Sequence, residues 1–457
     1  MTFFRPLALL AFGLLTACTD LPRRADTPTR AAPFDTALPP MKMFTPGRGS
    51  APVRSNANIA EDFLSLHFEL ESGRTLPAFT RFEGPITLRV TGRAPASLRP
   101  DLNALLGRLR SEAGIAIREV TGGEANITIQ AVSRAEIRRA LPQAACFVVP
   151  NVSSIDEFRR NRRKASTNWS LLRERHRLGI FVPADASPQE LRDCLHEELA
   201  QAIGPLNDLY RLPDSVFNDD NVHTVLTGFD MLILRATYAP ELQSGMTHAH
   251  VAAMLPGILT RLNPRGDSEP SHPVQSTPRS WVGNVQTALG PGATLSARRT
   301  AAAQAARTAA QQGWYDHRRA FSHYMLGRMI QSEDPGLAQT HYRNALAYLS
   351  STPATALHRA FVTTQTAAYA ISVGEGERAL REINPQLPVA AHAENAALLA
   401  TLMLLKAEAL DLTGQGEQAR AVRLDSLGWA RYGFGSDQAV RNKMREIASL
   451  SPRYRPG

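Results

Sequence analysis

The pattern of apolar and polar positions divides the chain into two parts of different architecture. In the first part, short apolar runs of strand length alternate with longer amphipathic stretches typical of helices. The predicted strands are 86–90, 115–120, 125–132, 146–150 and 179–183, and 102–113 is a predicted helix. Helices packed on a mixed sheet would bury these runs. The first part, residues 59–262, is therefore predicted to be an α+β domain.

The clearest helix signal in this part is at residues 187–204. Ser187-Pro188-Gln189-Glu190 forms a capping-box pattern with proline at the first helical position, and Gly204-Pro205 ends the helix. The apolar residues share one face, which needs a core to pack on: Leu191, Leu195, Leu199, Ala202 and Ile203. Asp193, Glu197 and Gln201 follow one turn apart on the opposite face.

The second part, residues 282–457, is predicted to be helical throughout. Gly336, Gly376 and Gly416 lie 40 residues apart, each in a helix-breaking turn between apolar helices. This pattern resembles tetratricopeptide-type helical hairpins, although their usual period is about 34 residues. Stacked hairpins expose a concave face that often binds a partner, so we expect a protein partner there. A plain helical bundle is the alternative.

Two further segments lack apolar periodicity. Residues 18–58 are rich in proline and small side chains, which predicts a disordered tether. Residues 263–281 contain glycine, serine and proline and are predicted to be a linker between the α+β part and the helical part.

The first residues have the pattern of an export signal. A basic start at Met1–Arg5 precedes the apolar run Leu7–Leu15, which is too short to span a bilayer. Leu15-Thr16-Ala17-Cys18 resembles the bacterial lipobox, so residues 1–17 are predicted to be cleaved and Cys18 to be lipidated. An ordinary signal with a chance cysteine is the alternative. Thr19, rather than aspartate, follows Cys18 and favours the outer membrane, facing the periplasm.

Composition is typical of a folded, exported protein, with 43% hydrophobic and 20% charged residues. With Cys18 lipidated, Cys146 and Cys194 remain, and the periplasm is oxidising. Because Cys146 opens a predicted strand and Cys194 lies on the capped helix, we expect a disulfide between them. Two free buried thiols are the alternative.

The net charge of +9 does not indicate a nucleic-acid partner, because no recognition motif for one is present. The densest basic cluster is at 159–164 and 173–177. Such a patch would attract an anionic envelope polymer, and a solvated surface loop is the alternative.

Residues 187–238 resemble the core of metzincin (matrixin-like) zinc proteases. Their helix motif is H-E-x-x-H-x-x-G-x-x-H, followed by a D-S-I-M-like Met-turn and a helix of L-S-x-x-D type. With the motif glycine placed on Gly204, the ligand positions fall on Glu197, Gln201 and Asn207, and the general base falls on Glu198. The Met-turn falls on 214–217 and the closing helix on 226–238. The resemblance implies a zincin-like fold without its histidines.

The replaced residues change the expected metal chemistry. Zinc prefers imidazole and thiolate ligands, so no zinc cofactor is expected. A weakly held divalent cation with oxygen ligands, joined by Asp208, is the alternative. The predicted cleft is formed by Glu197, Gln201, Asn207, Asp208 and Phe217. A solvated polar stripe on an amphipathic helix would also explain the motif.

The segment from Phe82 to Pro264 also resembles a family of bacterial lipoproteins named for domain of unknown function 2927. The stretches that carry this likeness are 194–201, 215–221 and 238–246. The family implies an envelope protein without an established activity.

Three functions fit these observations. The first is an envelope lipoprotein whose protease-like domain binds peptide or glycan without cleaving it, with helical repeats that bind a protein. The second is a peptidase or peptidoglycan hydrolase with Glu198 as general base. The third is a structural scaffold of the envelope.

Overall fold

Five strands form one mixed sheet in the first part of the molecule. The computed structural model describes residues 38–45, 47–349 and 352–452. The strands are β1 (Ile86–Gly92), β2 (Ile117–Glu119), β3 (Ile127–Val132), β4 (Phe147–Pro150) and β5 (Leu178–Pro183). Their order is β2-β1-β3-β5-β4. Strand β4 is antiparallel to β5, whereas the other neighbouring pairs are parallel.

Seven helices accompany this sheet: α1 (Asn56–Phe68), α2 (Leu98–Glu112), α3 (Arg134–Ala140), α4 (Ile155–Asn161), α5 (Pro188–Ile203), α6 (Gly228–Thr237) and α7 (His248–Leu262). The apolar faces of α1, α2, α5, α6 and α7 and one side of the sheet form one core that includes Leu88, Leu195 and Ile203. Helices α3 and α4 pack in a second cluster with Val149 and Phe181 of the sheet. The predicted α+β class is thus confirmed.

Helix α5 follows β5 and begins and ends as its sequence predicts. The Ser187 hydroxyl accepts a hydrogen bond from the Glu190 N–H at 3.2 Å, which satisfies an amide of the first turn. At the other end, the guanidinium of Arg175 donates to the carbonyls of Gln201 and Gly204 at 2.6 and 2.5 Å. A cation at a helix C-terminus is stabilising. Arg175, predicted as part of a basic surface cluster, is instead buried.

The predicted disulfide is present: Cys146, just before β4, is bonded to Cys194 of α5. Cys194 is buried, and its Cα lies 6.0 Å from that of Cys146. The bond joins α5 to the antiparallel edge of the sheet.

Ten helices follow in the second part: α8 (Arg279–Leu289), α9 (Leu295–Gln311), α10 (His317–Ile330), α11 (Pro335–Leu349), α12 (Ala356–Ser372), α13 (Gly376–Ile383), α14 (Gln386–His392), α15 (Ala396–Leu412), α16 (Gly416–Phe434) and α17 (Asp437–Ala448). The 40-residue glycine spacing marks three hairpins, α10–α11, α12–α13 and α15–α16. Gly374 and Gly414, with φ of 84° and 80°, end α12 and α15. Helix α14 interrupts the regular alternation.

The predicted tether, residues 18–58, extends too far into the chain, because its described residues pack on the folded body. The Lys42 N–H donates to the Gly428 carbonyl at 3.1 Å, and Phe44 stacks on Trp429. Arg54 forms ion pairs with Asp62 and Asp214. The prediction of a disordered tether is therefore wrong for residues 38–58, apart from residue 46, which the structure does not describe. The signal peptide 1–17 and Cys18 also lie outside the described residues.

The predicted linker is likewise packed, and the two parts form one body within the described residues from 38 to 452. Asn263 donates to Asn56 at 3.0 Å, and Arg318 of α10 donates to the Gln275 carbonyl at 2.9 Å. Across the junction, Gln189 donates to Asn395 at 3.1 Å. In the part of the chain that the structure describes, no helix is long and apolar enough to cross a membrane.

Candidate functional site

Helix α5 brings two of the predicted site residues into a cluster of acidic side chains. We call Glu71, Glu197, Glu198, Asp208 and Asp219 the carboxyl cluster, because their charges act on one another. Glu71 follows α1, Glu197 and Glu198 lie on α5, and Asp208 and Asp219 lie between α5 and α6. Sequence analysis missed Glu71.

The carboxyl cluster runs from a buried interior to the solvent. Glu198 is 4% exposed, whereas Glu71 and Asp219 are exposed. The Glu71 and Asp208 carboxyls influence each other's ionisation, and Tyr210 donates to Asp219 at 2.9 Å. The Glu198 Oε2 and Asp208 Oδ1 atoms are buried and have no hydrogen-bond partner among the described residues. Buried polar atoms without partners are uncommon in native folds and often mark a functional site.

Burial and mutual repulsion raise the proton affinity of the cluster. Burial, followed by the charges of Glu71 and Asp219, raises the pKa of Glu197 to about 7. Burial and the neighbouring Glu197 hold the pKa of Glu198 well above its usual value. A pKa of about 7 suits Glu197 to an acid–base role, whereas the sequence analysis assigned that role to Glu198.

The other predicted site residues diverge. The Asn207 amide donates to the Ser65 carbonyl of α1 at 3.0 Å. Phe217 is fully buried in the core. Gln201 is 8% exposed, and its side chain makes no hydrogen bond within the described residues. Thus Glu197, Glu198 and Asp208 come together, whereas Asn207 is held against α1 and Phe217 does not line a cleft.

The donors at the ligand positions do not fit zinc. They are a carboxylate and two amides, of which one is already bonded to α1. Among the described residues, no group of three or more His, Cys, Asp or Glu side chains is arranged to hold a metal ion.

Asp230 of α6 organises the turn at the Met-turn position. Its carboxylate accepts hydrogen bonds from the Ser215 hydroxyl at 2.5 Å, the Val216 N–H at 3.1 Å and the Thr227 N–H at 2.7 Å. The Thr227 hydroxyl accepts from the Asp230 N–H and completes a capping box. Burial raises the pKa of Asp230 to about 6 despite these bonds. The turn and the closing helix are therefore one hydrogen-bonded unit.

A groove, which we call the junction groove, lies between the α+β part and the hairpins. Its larger cavity, of about 670 Å³, reaches from Asp193 and Thr224 to Gln339 and Tyr369. A smaller cavity of about 210 Å³ adjoins it. Asn221, Tyr324, Arg328 and Phe361 line both cavities. Sequence analysis missed this groove because its walls come from segments more than 100 residues apart.

Three histidines meet one aspartate beside this groove. His358 of α12 bonds through Nε2 to Asp220 at 2.8 Å, and its ring lies 6.2 Å from that of His223 and 5.6 Å from that of His317. Burial and the charge of His358 lower the pKa of His317 to about 4. The spacing of these histidines along the chain carries no signal of their meeting.

Residues 56–257 match the model of a family described as "Protein of unknown function (DUF2927)". This confirms the resemblance for that segment, which is less than half of the chain and contains the carboxyl cluster. No curated protein and no solved structure matches the chain.

Proposed function

We propose that the protein is a lipid-anchored protein of the bacterial cell envelope that binds a peptide or glycan strand without cleaving it. The lipobox at Cys18 supports an anchor at the periplasmic face of the outer membrane. The basic residues exposed at 160–164 would allow additional attraction to an anionic envelope polymer. The hairpins of the second part supply a surface for a protein partner.

Kinship of the α+β part with metzincin proteases is supported by the order of its parts. A mixed sheet is followed by the motif helix α5, then by the Asp214–Phe217 turn, then by α6. Asp230 binds that turn with its carboxylate, which explains why the aspartate of the closing helix accompanies the turn in the sequence. The likeness of the hairpins to tetratricopeptide repeats rests on their 40-residue spacing alone.

The placement of Asn207 is the observation that favours a binding function over hydrolysis. A metzincin needs three side chains that converge from the motif helix and the loop after it. Here the third position donates its amide to α1, and the first position belongs to the carboxyl cluster. The order of the elements is that of a metzincin, but the side chains at its ligand positions do not converge on one point. The junction groove then remains as a large concave surface suited to a ligand.

Site-specific photo-crosslinking in living cells tests this function. Benzoylphenylalanine at Gln365, which lines the groove, is expected to crosslink to an envelope component. The same group at Gln304, exposed on α9, is the matched control and should give no such product. Purified protein should leave the crosslinked component intact when incubated with it, with or without added zinc. Equal labelling from both positions would favour a scaffold, and cleavage would favour a hydrolase.

A hydrolase that uses Glu197 is the second candidate. The specific observation in its favour is the half-buried Glu197 carboxyl with a pKa of about 7, in the same cluster as the unpartnered Glu198 oxygen. Peptidoglycan and envelope peptides are the substrates to offer, with products read by mass spectrometry. A hydrolase would lose turnover in Glu197→Gln by at least about 100-fold. Absence of turnover in the unmodified protein across that panel removes this candidate.

A further inference from the structure

The junction groove has an apolar end that suits one bulky side chain. The smaller cavity is lined mainly by apolar residues: Val222, Leu289, Phe321, Leu349, Phe361 and Val362. Its volume is about 210 Å³, and an apolar protein cavity of about 150 Å³ is known to hold a benzene ring. A leucine or aromatic side chain therefore fits there, whereas the hydroxyl-rich surface of a sugar would leave its polar groups unsatisfied.

The wall of the groove also contains polar atoms that lack partners. The Thr224 Oγ1 and Gln339 Oε1 atoms belong to residues that line the larger cavity and are 5% and 6% exposed. The Nδ1 atom of His358, which lines the smaller cavity, is also without a partner in the described residues. A buried polar group without a hydrogen bond destabilises the fold, so a ligand that supplies one gains affinity. Backbone amides of a polypeptide offer both donors and acceptors.

Arg328 provides the charge at the point where the two cavities meet. It is exposed, lines both cavities and, within the described residues, makes no ion pair. Its guanidinium lies 5.9 Å from the ring of Tyr324. The other cation of the larger cavity, Lys443, is already paired with Glu446 at 2.8 Å. An arginine that makes no ion pair can donate hydrogen bonds to both oxygens of a carboxylate.

We infer that the junction groove binds an extended polypeptide that carries a bulky apolar side chain next to a carboxylate. The apolar side chain fills the smaller cavity, and the carboxylate pairs with Arg328. Glutamine and threonine side chains of the larger cavity bond to the peptide backbone. This inference rests on the proposed binding function and specifies its ligand as a polypeptide.

Binding of defined peptides to the full-length protein in detergent tests the inference. The probes are fluorescein-labelled octapeptides of glycine and serine, blocked at both ends, with a central Phe-Glu, Ala-Glu or Phe-Lys pair. Fluorescence anisotropy should show the Phe-Glu peptide binding at least tenfold more tightly than the other two. A fourth probe, ending in a free phenylalanine carboxylate, distinguishes a terminal from a side-chain carboxylate as the partner of Arg328.

Charge reversal supplies the matched variants. Arg328→Glu, at an exposed position, should weaken Phe-Glu binding at least tenfold and should make Phe-Lys the preferred probe. Arg307→Glu, exposed on α9 and remote from the groove, should leave both affinities unchanged. Equal affinities for the three blocked probes, or a preference that survives Arg328→Glu, would overturn the inference. Binding of peptide-free glycan strands in place of all peptides would overturn it in favour of a glycan site.

The crosslinking and peptide-binding experiments together distinguish failure of this inference from failure of the proposed binding function. If Gln365 crosslinks to an envelope component while the peptide probes show no preference, the groove binds a different ligand and the proposed function stands. If Gln365 gives no crosslink and the protein cleaves its substrate, the proposed function itself is wrong.

Discussion

At the scale of single residues, the ionisation of Glu197 makes the stability of the fold depend on pH. Its pKa lies at about 7 in the fold, against 4.5 for the free side chain. Between these values the folded chain holds a proton that the unfolded chain has lost. The stability of the fold therefore decreases as the pH rises from about 4.5 to 7, because the proton must be given up next to Glu71 and Asp219.

Glu197→Gln should consequently stabilise the protein in alkaline solution. The amide keeps the shape of the side chain and cannot ionise. At pH 8 we expect the variant to be more stable by roughly 1–3 kcal/mol, a rise of a few degrees in Tm. At pH 4 the two proteins should differ little, since both carry a neutral side chain there. Thermal unfolding followed by circular dichroism at the two pH values measures the difference.

Glu124→Gln is the control, because Glu124 is exposed in the turn before β3 and has no partner within the described residues. It should alter Tm equally at both pH values. A Glu197→Gln variant that is less stable at pH 8 would mean that the carboxylate is held by a favourable partner, such as a bound cation.

At the scale of elements, Asp230 joins the Asp214–Phe217 turn to α6. It is fully buried and accepts three hydrogen bonds, including one from Ser215 and one from Val216. Asp230→Asn turns one acceptor into a donor that faces these N–H and O–H groups. We expect a loss of roughly 2–4 kcal/mol, because buried donors are left without partners. Urea unfolding gives the value. Asp156→Asn, exposed on α4, should change it by less than about 1 kcal/mol.

The disulfide between Cys146 and Cys194 should stabilise the protein mainly through the unfolded chain. It closes a loop with a sequence separation of 48 residues. The loop-entropy estimate for this length is about 4 kcal/mol. Replacing both cysteines with serine should lower the free energy of unfolding by about 2–4 kcal/mol. Reducing agent should destabilise the unmodified protein and leave the double variant unchanged. An effect of reductant on the double variant would contradict this assignment.

The elements that could be predicted from sequence are those whose signals are local. Helix α5 begins at a serine-proline cap and ends at a glycine, and both signals lie within the helix that they define. Residues 38–55 have few apolar positions and were predicted to be disordered. They are ordered because Phe44 stacks on Trp429 and Arg54 pairs with Asp214, each on a distant segment. Glu71 was missed for the same reason, since only the fold brings it to α5.

At the scale of the whole molecule, buried histidines join the two parts at the junction. His317 of α10 bonds to the Tyr210 carbonyl at 2.6 Å, and His358 of α12 pairs with Asp220. Burial would raise the pKa of Asp220, but the imidazoles of His358, His317 and His223 hold it below its usual value. Burial and His358 also lower the pKa of His223. Each of these contacts was unpredictable from sequence, because its two members lie in different parts.

Acid should therefore loosen the junction. The pKa of His317 is about 4 in the fold and 6.5 in the unfolded chain, so the unfolded chain binds more protons between these values. The contribution of His317 to stability is present above pH 6.5 and is lost as the pH falls towards 4. His317→Gln keeps a donor for the Tyr210 carbonyl and removes the titration. Relative to the unmodified protein, the variant should gain on the order of 1–3 kcal/mol at pH 4.5.

The comparison between proteins at each pH isolates the histidine, because the carboxyl cluster has the opposite pH dependence and is common to both. Guanidinium unfolding at pH 8, 6.5 and 4.5 gives the required free energies. His250→Gln, exposed on α7, should follow the unmodified protein throughout. Parallel curves for His317→Gln and the unmodified protein would show that the pKa of His317 is the same in the fold as in the unfolded chain, which would contradict this prediction.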